Sequence, residues 1–441
     1  MELTVPSGGS CHIPSNAINA ENEVGRTPHT AQLVYLPSAI DFNHPSVQQI
    51  LGKADVLSFQ RNVLTPDVIR SMAYWRALGK ITTTDLDDAY DFLPPSNPAH
   101  KYWIHDAAGL KDKTGLEPIE ALAEGLRNSD ALTSPSKVLL ADWEHIVPGM
   151  YIPNWPRGAW YAATNPKPLG EKDIIFGYRQ VEKENGEKGV NFEGAHREGS
   201  EELLYLGWGG SISHVDSFVY SGILEALDKI FEKYPQVRFK FCGHEGRLDY
   251  ILNRWGDKVV RQTGVKPEHW PYIVATFDIG LAPLDMRPVP EEMGHGKNPE
   301  QRKYSYDERR SWLKGVEYLC AGVPWVATRS ATYEDLSRHG IMVENRDSLS
   351  LDERSNNWYN ALSSAIENIA ARKTLAADKK KWAIKRWSME ANVPVYIAAF
   401  ERIGNLKQAK GTGTLPGVFW FRKPKEEKKK EEIALKEAKL G

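Results

Sequence analysis

Short apolar runs alternate with longer amphipathic stretches twice along the chain, and this alternation constrains the fold more than any other feature. The first series lies within residues 31–165 and the second begins at Leu203. Strands that alternate with helices form parallel sheets covered by helices on their faces. A chain of 441 residues is also too long for one compact core and fits two domains. The sequence therefore predicts an α/β protein with two Rossmann-like lobes that face a central cleft.

The first series is predicted from short β-branched runs and from apolar residues at helical spacing. Predicted strands cover Gln32–Leu36, Val56–Gln60, Lys80–Thr84, Ala131–Thr133 and Met150–Pro153. Predicted helices cover Pro66–Leu78, Pro118–Arg127 and a segment that begins at Pro135 after a cap by Ser134.

A β-hairpin is predicted between the two series, because Asn-Gly at 185–186 separates two extended polar runs within residues 173–198. The second series then follows. Its predicted strands are Leu203–Leu206, Val237–Phe241, Lys258–Gln262, Asp278–Ala282 and Val323–Ala327. Its predicted helices are Asp216–Phe231, Arg247–Trp255, Ser311–Cys320 and Trp358–Lys380, with a last helix at Val393–Arg402.

Five segments follow from these patterns. Residues 1–30 are a flexible arm, 31–165 an N-terminal lobe, and 166–387 a C-terminal lobe that contains the hairpin. A helix at 388–405 returns to the first lobe, and 406–441 form a charged tail. The stretch 422–441 holds eight Lys or Arg and five Glu. It is either a solvated end or a short basic contact for nucleic acid or an anionic surface.

Charge and cysteine content narrow the function classes. The 56 Lys and Arg nearly balance the 58 Asp and Glu, so the chain lacks the global positive charge of a nucleic-acid-binding protein. Three scattered cysteines are too few for a disulfide framework or a zinc site. The first thirty residues lack an apolar signal core, and no apolar stretch is long enough to span a bilayer. These features predict a cytoplasmic protein.

The segment 278–328 carries the clearest functional pattern. Asp278 opens a strand, a charged loop follows, and Arg309, Arg310 and Lys314 stand at the start of the next helix. Free N–H groups and the positive dipole at a helix start near Ser311 suit a phosphate. Glu317, one turn beyond Lys314, is placed to accept hydrogen bonds from ribose hydroxyls.

This segment resembles the donor-binding region of GT-B glycosyltransferases of family 4, with some twenty positions in the same order. The resemblance implies that Glu317 holds the ribose of a nucleotide-diphosphate sugar. The family often has a second glutamate eight positions earlier, where this chain has Arg309. The resemblance also implies retention of anomeric configuration, and no cofactor beyond the donor substrate.

The segment 206–216 resembles the opening of the family's second lobe. We expect a glycine-rich loop in which Gly209, Gly210 and Ser211 approach the donor diphosphate, with His214 touching a phosphate or starting a helix. The family's Arg and Lys after this loop are absent, so Arg309, Arg310, Lys314 or Arg247 are the predicted replacements. A dinucleotide fingerprint is the alternative, but Ile212 stands where its third glycine belongs.

The first lobe places Arg61 and the acidic residues Asp85, Asp87 and Asp88 after two neighbouring strands. These residues either orient the acceptor and transfer a proton, or only cap helices and form salt bridges. No metal site is predicted, because GT-B enzymes generally do not need one.

The sequence thus predicts a glycosyltransferase with Lys314, Arg309 and Asp87 as catalytic residues. The expected acceptor is a saccharide or a lipid-linked saccharide, with hydroxymethylated bases of viral DNA as the alternative. A non-catalytic nucleotide-sugar-binding protein remains the alternative from another class.

Overall fold

The computed structural model describes residues 44–61, 63–169, 171–182, 188–198, 202–210, 212–243, 248–262, 264–289 and 302–409, without the side chains of 173–198, 212 and 406–409. The predicted arm at 1–30, the predicted strand at Gln32–Leu36, Ser211 and residues 410–441 of the predicted tail lie outside these ranges.

In the described residues, the first lobe is built on a four-stranded parallel sheet of order β1-β2-β3-β4. Its strands are β1 (Val56–Gln60), β2 (Ile81–Asp85), β3 (Ala131–Ser134) and β4 (Gly149–Tyr151). Its helices are α1 (Pro45–Lys53), α2 (Pro66–Ala77), α3 (His100–Trp103), α4 (Leu110–Thr114), α5 (Pro118–Arg127), α6 (Lys137–Trp143) and α7 (Gly158–Ala162). The alternating pattern therefore predicted the parallel sheet correctly.

Local details of the first lobe follow from capping. The Thr65 hydroxyl accepts a hydrogen bond from Val68 N, and Pro66 begins α2. The predicted start of α6 at Pro135 is wrong. Ser136, not Ser134, is the cap, because its hydroxyl accepts from Leu139 N and the helix begins at Lys137.

Between the lobes the predicted hairpin is confirmed. It consists of the antiparallel strands β5 (Asp173–Glu182) and β6 (Lys188–Glu198), with a register shift at Gly177 and Tyr178. It pairs with neither of the two larger sheets.

The second lobe is built on a six-stranded parallel sheet of order β12-β11-β10-β7-β8-β9. Its strands are β7 (Leu204–Gly210), β8 (Val237–Gly243), β9 (Val259–Gln262), β10 (Ile279–Ala282), β11 (Trp325–Thr328) and β12 (Ile341–Val343). Its helices are α8 (Val215–Val219), α9 (Ile223–Lys233), α10 (Asp249–Arg254), α11 (Trp270–Ala275), α12 (Leu313–Ala321), α13 (Leu351–Glu367) and α14 (Ile369–Trp387), and α15 (Met389–Ala409) follows them.

Side chains alternate across the central strand β7 and so divide the second lobe into two cores. Leu206 and Trp208 belong to the core that includes residues of α9 and α13. Gly207 and Gly209 face the other side of the sheet, where Phe277 of the second core lies. This alternation places Gly207 and Gly209 against the rings of Phe277 and Trp270.

The last helix passes beside the first lobe. A Cβ atom added to Gly404 of α15 would lie 3.1 Å from Ile81 Cδ1 in β2. Met389 N also donates to Pro156 O, before α7. Helix α15 continues to Ala409, so helical structure extends into the segment predicted to be a charged tail. None of the described helices is long and apolar enough to cross a bilayer.

Candidate functional site

The acidic run after β2 forms a connected group with Arg61, which follows β1. Asp87 Oδ1 accepts from the Tyr90 hydroxyl at 3.0 Å, and that hydroxyl accepts from Arg61 Nη1 at 3.3 Å. Asp85 Oδ1 accepts from Thr133 Oγ1 at 2.7 Å. Parallel strands end at the same edge of a sheet, which is why residues from β1, β2 and β3 meet here.

Burial perturbs two of these carboxyl groups. It raises the pKa of Asp85 to about 6, although the hydrogen bond from Thr133 opposes it. Burial and then the charge of Asp88 raise the pKa of Asp87, while Tyr90 and Arg61 act against the increase. Carboxyl groups with raised pKa values are suited to accept and release a proton near neutral pH.

Asp88 reaches across the cleft to the second lobe. Its Oδ1 lies 3.3 Å from Arg310 Nε and accepts a hydrogen bond from the Tyr306 hydroxyl, also at 3.3 Å. The predicted acceptor-side residue Asp88 and the predicted donor-binding residue Arg310 therefore contact each other directly.

Arg310 is buried and surrounded by acceptors. Its guanidinium donates to His214 Nδ1 at 2.6 Å and to Ser213 O at 3.1 Å, and it lies 3.4 Å from Asp307 Oδ1. Burial alone lowers the pKa of Arg310, but Tyr306, Asp88 and Asp307 outweigh it and leave the pKa raised. A permanently charged group thus stands at the centre of the interface between the lobes.

His214 is a neutral partner of this arginine. Because Arg310 has only donors, His214 Nδ1 must be the unprotonated, accepting nitrogen. Burial lowers the pKa of His214 well below its usual value, and the charges of Arg310 and Lys314 lower it further. The Nε2 nitrogen then carries the hydrogen, and the imidazole ring is uncharged near neutral pH.

The predicted loop conformation is wrong for Gly207, Gly209 and Gly210, which lie in strand β7. The predicted contact of Gly209, Gly210 and Ser211 with the diphosphate stays a prediction. Gly207 and Gly209 pair with Lys240 and Cys242 in the ladder between β7 and β8, which runs on to Gly210. A Cβ atom on Gly207 would lie 2.0 Å from Phe277 Cγ, and one on Gly209 would lie 2.0 Å from Trp270 Cη2. These two glycines make room for aromatic rings.

This geometry also decides against the dinucleotide fingerprint. That motif needs a tight turn at its first glycine and a helix directly after it. Gly207 instead lies in the middle of β7, and α8 begins only at Val215.

Helix α12 carries Lys314 and Glu317 on its first turns, but it begins at Leu313 rather than near Ser311. Leu313 N donates to Ser311 Oγ at 3.2 Å, so Ser311 lies just before the helix. Lys314 Nζ lies 5.5 Å from the centre of the Trp208 ring. Glu317 Oε1 accepts from Trp270 Nε1 at 3.0 Å.

Lys314 and Glu317 modify each other's ionisation. Burial lowers the pKa of Lys314 to about 8, Glu317 opposes this decrease, and Arg310 adds to it. Burial raises the pKa of Glu317, whereas Lys314 and hydrogen bonds from Trp270 and Tyr161 lower it. Lys314 also acts on His214, and Arg310 acts on both, so the predicted donor-binding side chains lie close together.

Arg309 is the predicted catalytic residue that lies apart from this group. Its side chain is fully buried, and its guanidinium binds Asp142 of α6 at 2.7 and 3.2 Å. It also donates to Tyr304 O and Ser305 O and lies over the Phe92 ring. This placement favours a role in joining the two lobes over the predicted role in catalysis.

Four contributors to the site were not predicted from the sequence: Trp270, Tyr161, Tyr306 and Asp307. Each lies on a short helical segment or a loop, where no periodic pattern marks it. Asp307 Oδ2 accepts from Ser217 Oγ at 2.6 Å and from Asp285 N at 2.7 Å, so it links the chain before α12 to α8. Only the folded chain brings such distant residues together.

A cavity of about 330 Å³ opens between the lobes beside Arg310. Ser136, Lys137 and Tyr151 line it from the first lobe, and Thr332 and Asp335 line it from the second. Lys137 Nζ and Asp335 Oδ2, 2.8 Å apart, connect its two sides. The cavity is thus bounded by residues that follow β3 and β11 and by Tyr151, the last residue of β4.

No family model matches the chain, and no curated protein matches it. Among solved structures, sucrose-phosphate synthase from Thermosynechococcus elongatus is similar over 86% of this chain and 82% of its own, with 13% identity and a TM-score of 0.48. Anabaena HepE in complex with UDP is similar over 82% and 81%, with 12% identity and a TM-score of 0.44. A UDP-forming trehalose-phosphate synthase from Burkholderia xenovorans is similar over 81% and 76%, with 11% identity and a TM-score of 0.45.

The assignment of two α/β lobes rests on the chain's own two parallel sheets.

Proposed function

We propose that this protein is a glycosyltransferase that moves a sugar from a nucleoside-diphosphate sugar to an acceptor hydroxyl. The observation that carries the proposal is the convergence of Arg310, His214, Lys314 and Glu317 on one face of the cleft. Asp87 and Asp88 stand opposite them at the edge of the other sheet. Ligands of open α/β sheets bind at this edge.

The charges of the second lobe match the demands of a departing diphosphate. When the bond between the sugar C1 and the diphosphate oxygen breaks, the electron pair leaves with that oxygen. Arg310 and Lys314 supply fixed positive charge where this negative charge develops. Glu317 accepts hydrogen bonds from the ribose hydroxyls of the same donor.

The first lobe supplies groups for the acceptor. The acceptor oxygen forms the new bond to C1, and its proton passes to a diphosphate oxygen or to a carboxylate. Asp87 and Asp85, whose pKa values are raised by burial, are the carboxylates at this position. Attack from the face that the diphosphate leaves would retain the anomeric configuration. The proposed acceptor is a saccharide or a lipid-linked saccharide.

Calorimetric titration with UDP, GDP and ADP tests the donor side. Loss of a charge-assisted hydrogen bond costs about 1.5–3 kcal/mol, so Lys314→Ala and Glu317→Ala should each weaken binding about 10- to 150-fold. Lys233→Ala and Glu367→Ala are matched controls, because they remove an exposed Lys–Glu pair from the same lobe. Unchanged affinity in both site variants would refute the assignment.

A further inference from the structure

The ring of Trp270 fills the space that a side chain at position 209 would need. A Cβ atom on Gly209 would lie 2.0 Å from Trp270 Cη2 and within 2.9 Å of two further ring atoms. Trp270 is the first residue of α11 and also lies edge-on to Phe277, with ring centres 6.3 Å apart. The strand β7 therefore needs glycine at this position so that the indole can lie against the backbone.

The indole in this place reaches the carboxylate of Glu317. Trp270 Nε1 donates to Glu317 Oε1 at 3.0 Å, across 47 residues of sequence. The Tyr161 hydroxyl of α7 also acts on this carboxylate and lowers its pKa. A donor from a different element restrains the orientation of a glutamate side chain, which otherwise has several rotatable bonds.

We propose that Trp270 is a positioning residue, which holds the Glu317 carboxylate in the orientation that binds the donor ribose. The proposal rests on the proposed function, because it assumes that Glu317 binds a nucleotide. It assigns Gly209 a different task from the one expected of a glycine-rich loop. Gly209 admits the ring that orients Glu317, and the diphosphate contacts come from cationic side chains.

Several titratable groups lie around Glu317 and could contribute to a pH dependence of nucleotide binding. They come from α12, from α7 and from the 3-10 segment Ala331–His339, and they are Lys314, Tyr318, Cys320, Tyr161 and Tyr333. Burial raises the pKa of Cys320 to about 12 and raises the pKa values of Tyr318 and Tyr333. Lys314, with a pKa of about 8, titrates on the basic side of neutrality. Among these groups Glu317 is the one that titrates on the acid side, so an acid-side change seen in a variant of Trp270 and absent from its control reflects Glu317.

Replacement of Trp270 by Phe keeps an aromatic ring and removes the N–H donor. Because a donor favours the charged carboxylate, its loss raises the pKa of Glu317. We expect Trp270→Phe to weaken binding of UDP, GDP or ADP about 5- to 10-fold at neutral pH. Nucleotide affinity should fall at acid pH as Glu317 is protonated, and we call this part of the pH profile the acid limb. We expect Trp270→Phe to move the acid limb to higher pH by roughly 0.5–1 pH unit.

Trp255→Phe is the matched control. Trp255 is a buried indole in the same lobe, and its Nε1 donates to a carboxylate oxygen of Asp228 at 2.6 Å. A purely structural role of an indole would lower the melting temperature in both variants and would leave the acid limb in place. We expect the acid limb to move in Trp270→Phe alone.

Gly209→Ala provides a second test through the same contact. Its Cβ should displace the indole and weaken binding about as much as Trp270→Phe does. The double variant Gly209→Ala with Trp270→Phe should bind nucleotide about as well as Trp270→Phe alone, because the smaller ring leaves space for a methyl group. Additive losses would overturn the coupling of Gly209 to Glu317.

The outcomes separate this inference from the proposed function. One outcome is that the wild-type protein binds a nucleoside diphosphate while Trp270→Phe has the same affinity and the same acid limb as wild type. In that case the positioning role fails and the proposed function stands. If none of the three nucleotides binds the wild-type protein at any pH, both fail.

Discussion

Lys314 is the residue whose charge depends most directly on what binds next to it. Burial holds its pKa at about 8, so part of the lysine population is neutral just above neutral pH. A diphosphate beside it favours the ammonium form and raises the pKa. Binding should therefore take up a proton near pH 8 and little or none near pH 6.5.

Calorimetry of nucleotide binding in two buffers of different ionisation enthalpy measures this proton. We expect the uptake at pH 8 to disappear in Lys314→Arg, because a guanidinium stays charged at that pH. Lys233→Gln, which changes an exposed lysine, should keep the uptake. His214 titrates below its usual range and does not contribute at pH 8. Equal uptake in Lys314→Arg and wild type would contradict the prediction.

At the residue scale, the sequence predicts those site residues that lie close together in the chain and have side chains suited to a phosphate or a ribose. Arg310, Lys314 and Glu317 lie within eight residues of one another, and this local pattern predicted them as site residues. Their partners could not be predicted in this way. Trp270 contacts Glu317 across 47 residues, and Asp142 contacts Arg309 across 167 residues. Only the three-dimensional fold shows that Arg309 is buried against Asp142 of the first lobe.

At the scale of elements, glycines and side-chain crowding explain where the predicted boundaries were wrong. The predicted helix Asp216–Phe231 is two helices, α8 and α9, because Gly222 between them adopts a φ of +80°. The predicted helix Trp358–Lys380 is likewise divided, at Asn368 between α13 and α14. Strand β1 and helix α5 match their predicted bounds, and a capping box at Glu117 begins α5.

The glycines of β7 give a prediction at this scale. Gly207→Ala should destabilise the protein by about 1–3 kcal/mol, because the new methyl group would overlap the Phe277 ring. Phe277→Leu should relieve part of this cost in the double variant. Gly264→Ala is the control, since nothing lies within 4 Å of its Cβ position. Thermal and denaturant unfolding would measure both, and a Gly207→Ala variant as stable as Gly264→Ala would refute this account of β7.

At the scale of the whole molecule, ion pairs and apolar contacts hold the two lobes in one relative position. Arg309 and Asp142 form an ion pair between the lobes in which neither side chain is more than 1% exposed. Arg310 and Asp88 add a second, more exposed pair. Tyr306, from the second half of the chain, also belongs to the hydrophobic core of the first lobe, together with Phe92 and Leu93. Buried charges at such an interface are costly when unpaired, so they fix one arrangement of the lobes.

Arg309→Met should destabilise the protein by about 3–5 kcal/mol, because Asp142 would remain buried without its partner. Adding Asp142→Leu should recover most of this loss. Lys137→Ala, which breaks the exposed pair with Asp335 between the same lobes, should cost about 1 kcal/mol or less. Denaturant unfolding followed by tryptophan fluorescence measures all three. If Arg309→Met were as stable as Lys137→Ala, the pair would not hold the lobes together.

The release of nucleoside diphosphate from a panel of nucleotide sugars is the measurement that tests the central claim most directly. Wild-type protein should release nucleotide from one donor slowly by hydrolysis and faster once a suitable saccharide acceptor is added. Glu317→Gln and Lys314→Gln should lose most of this release while Lys233→Gln keeps it. A wild-type protein that binds nucleotide sugars and releases no nucleotide from any of them, with or without acceptors, would be a binding protein and would contradict the proposal.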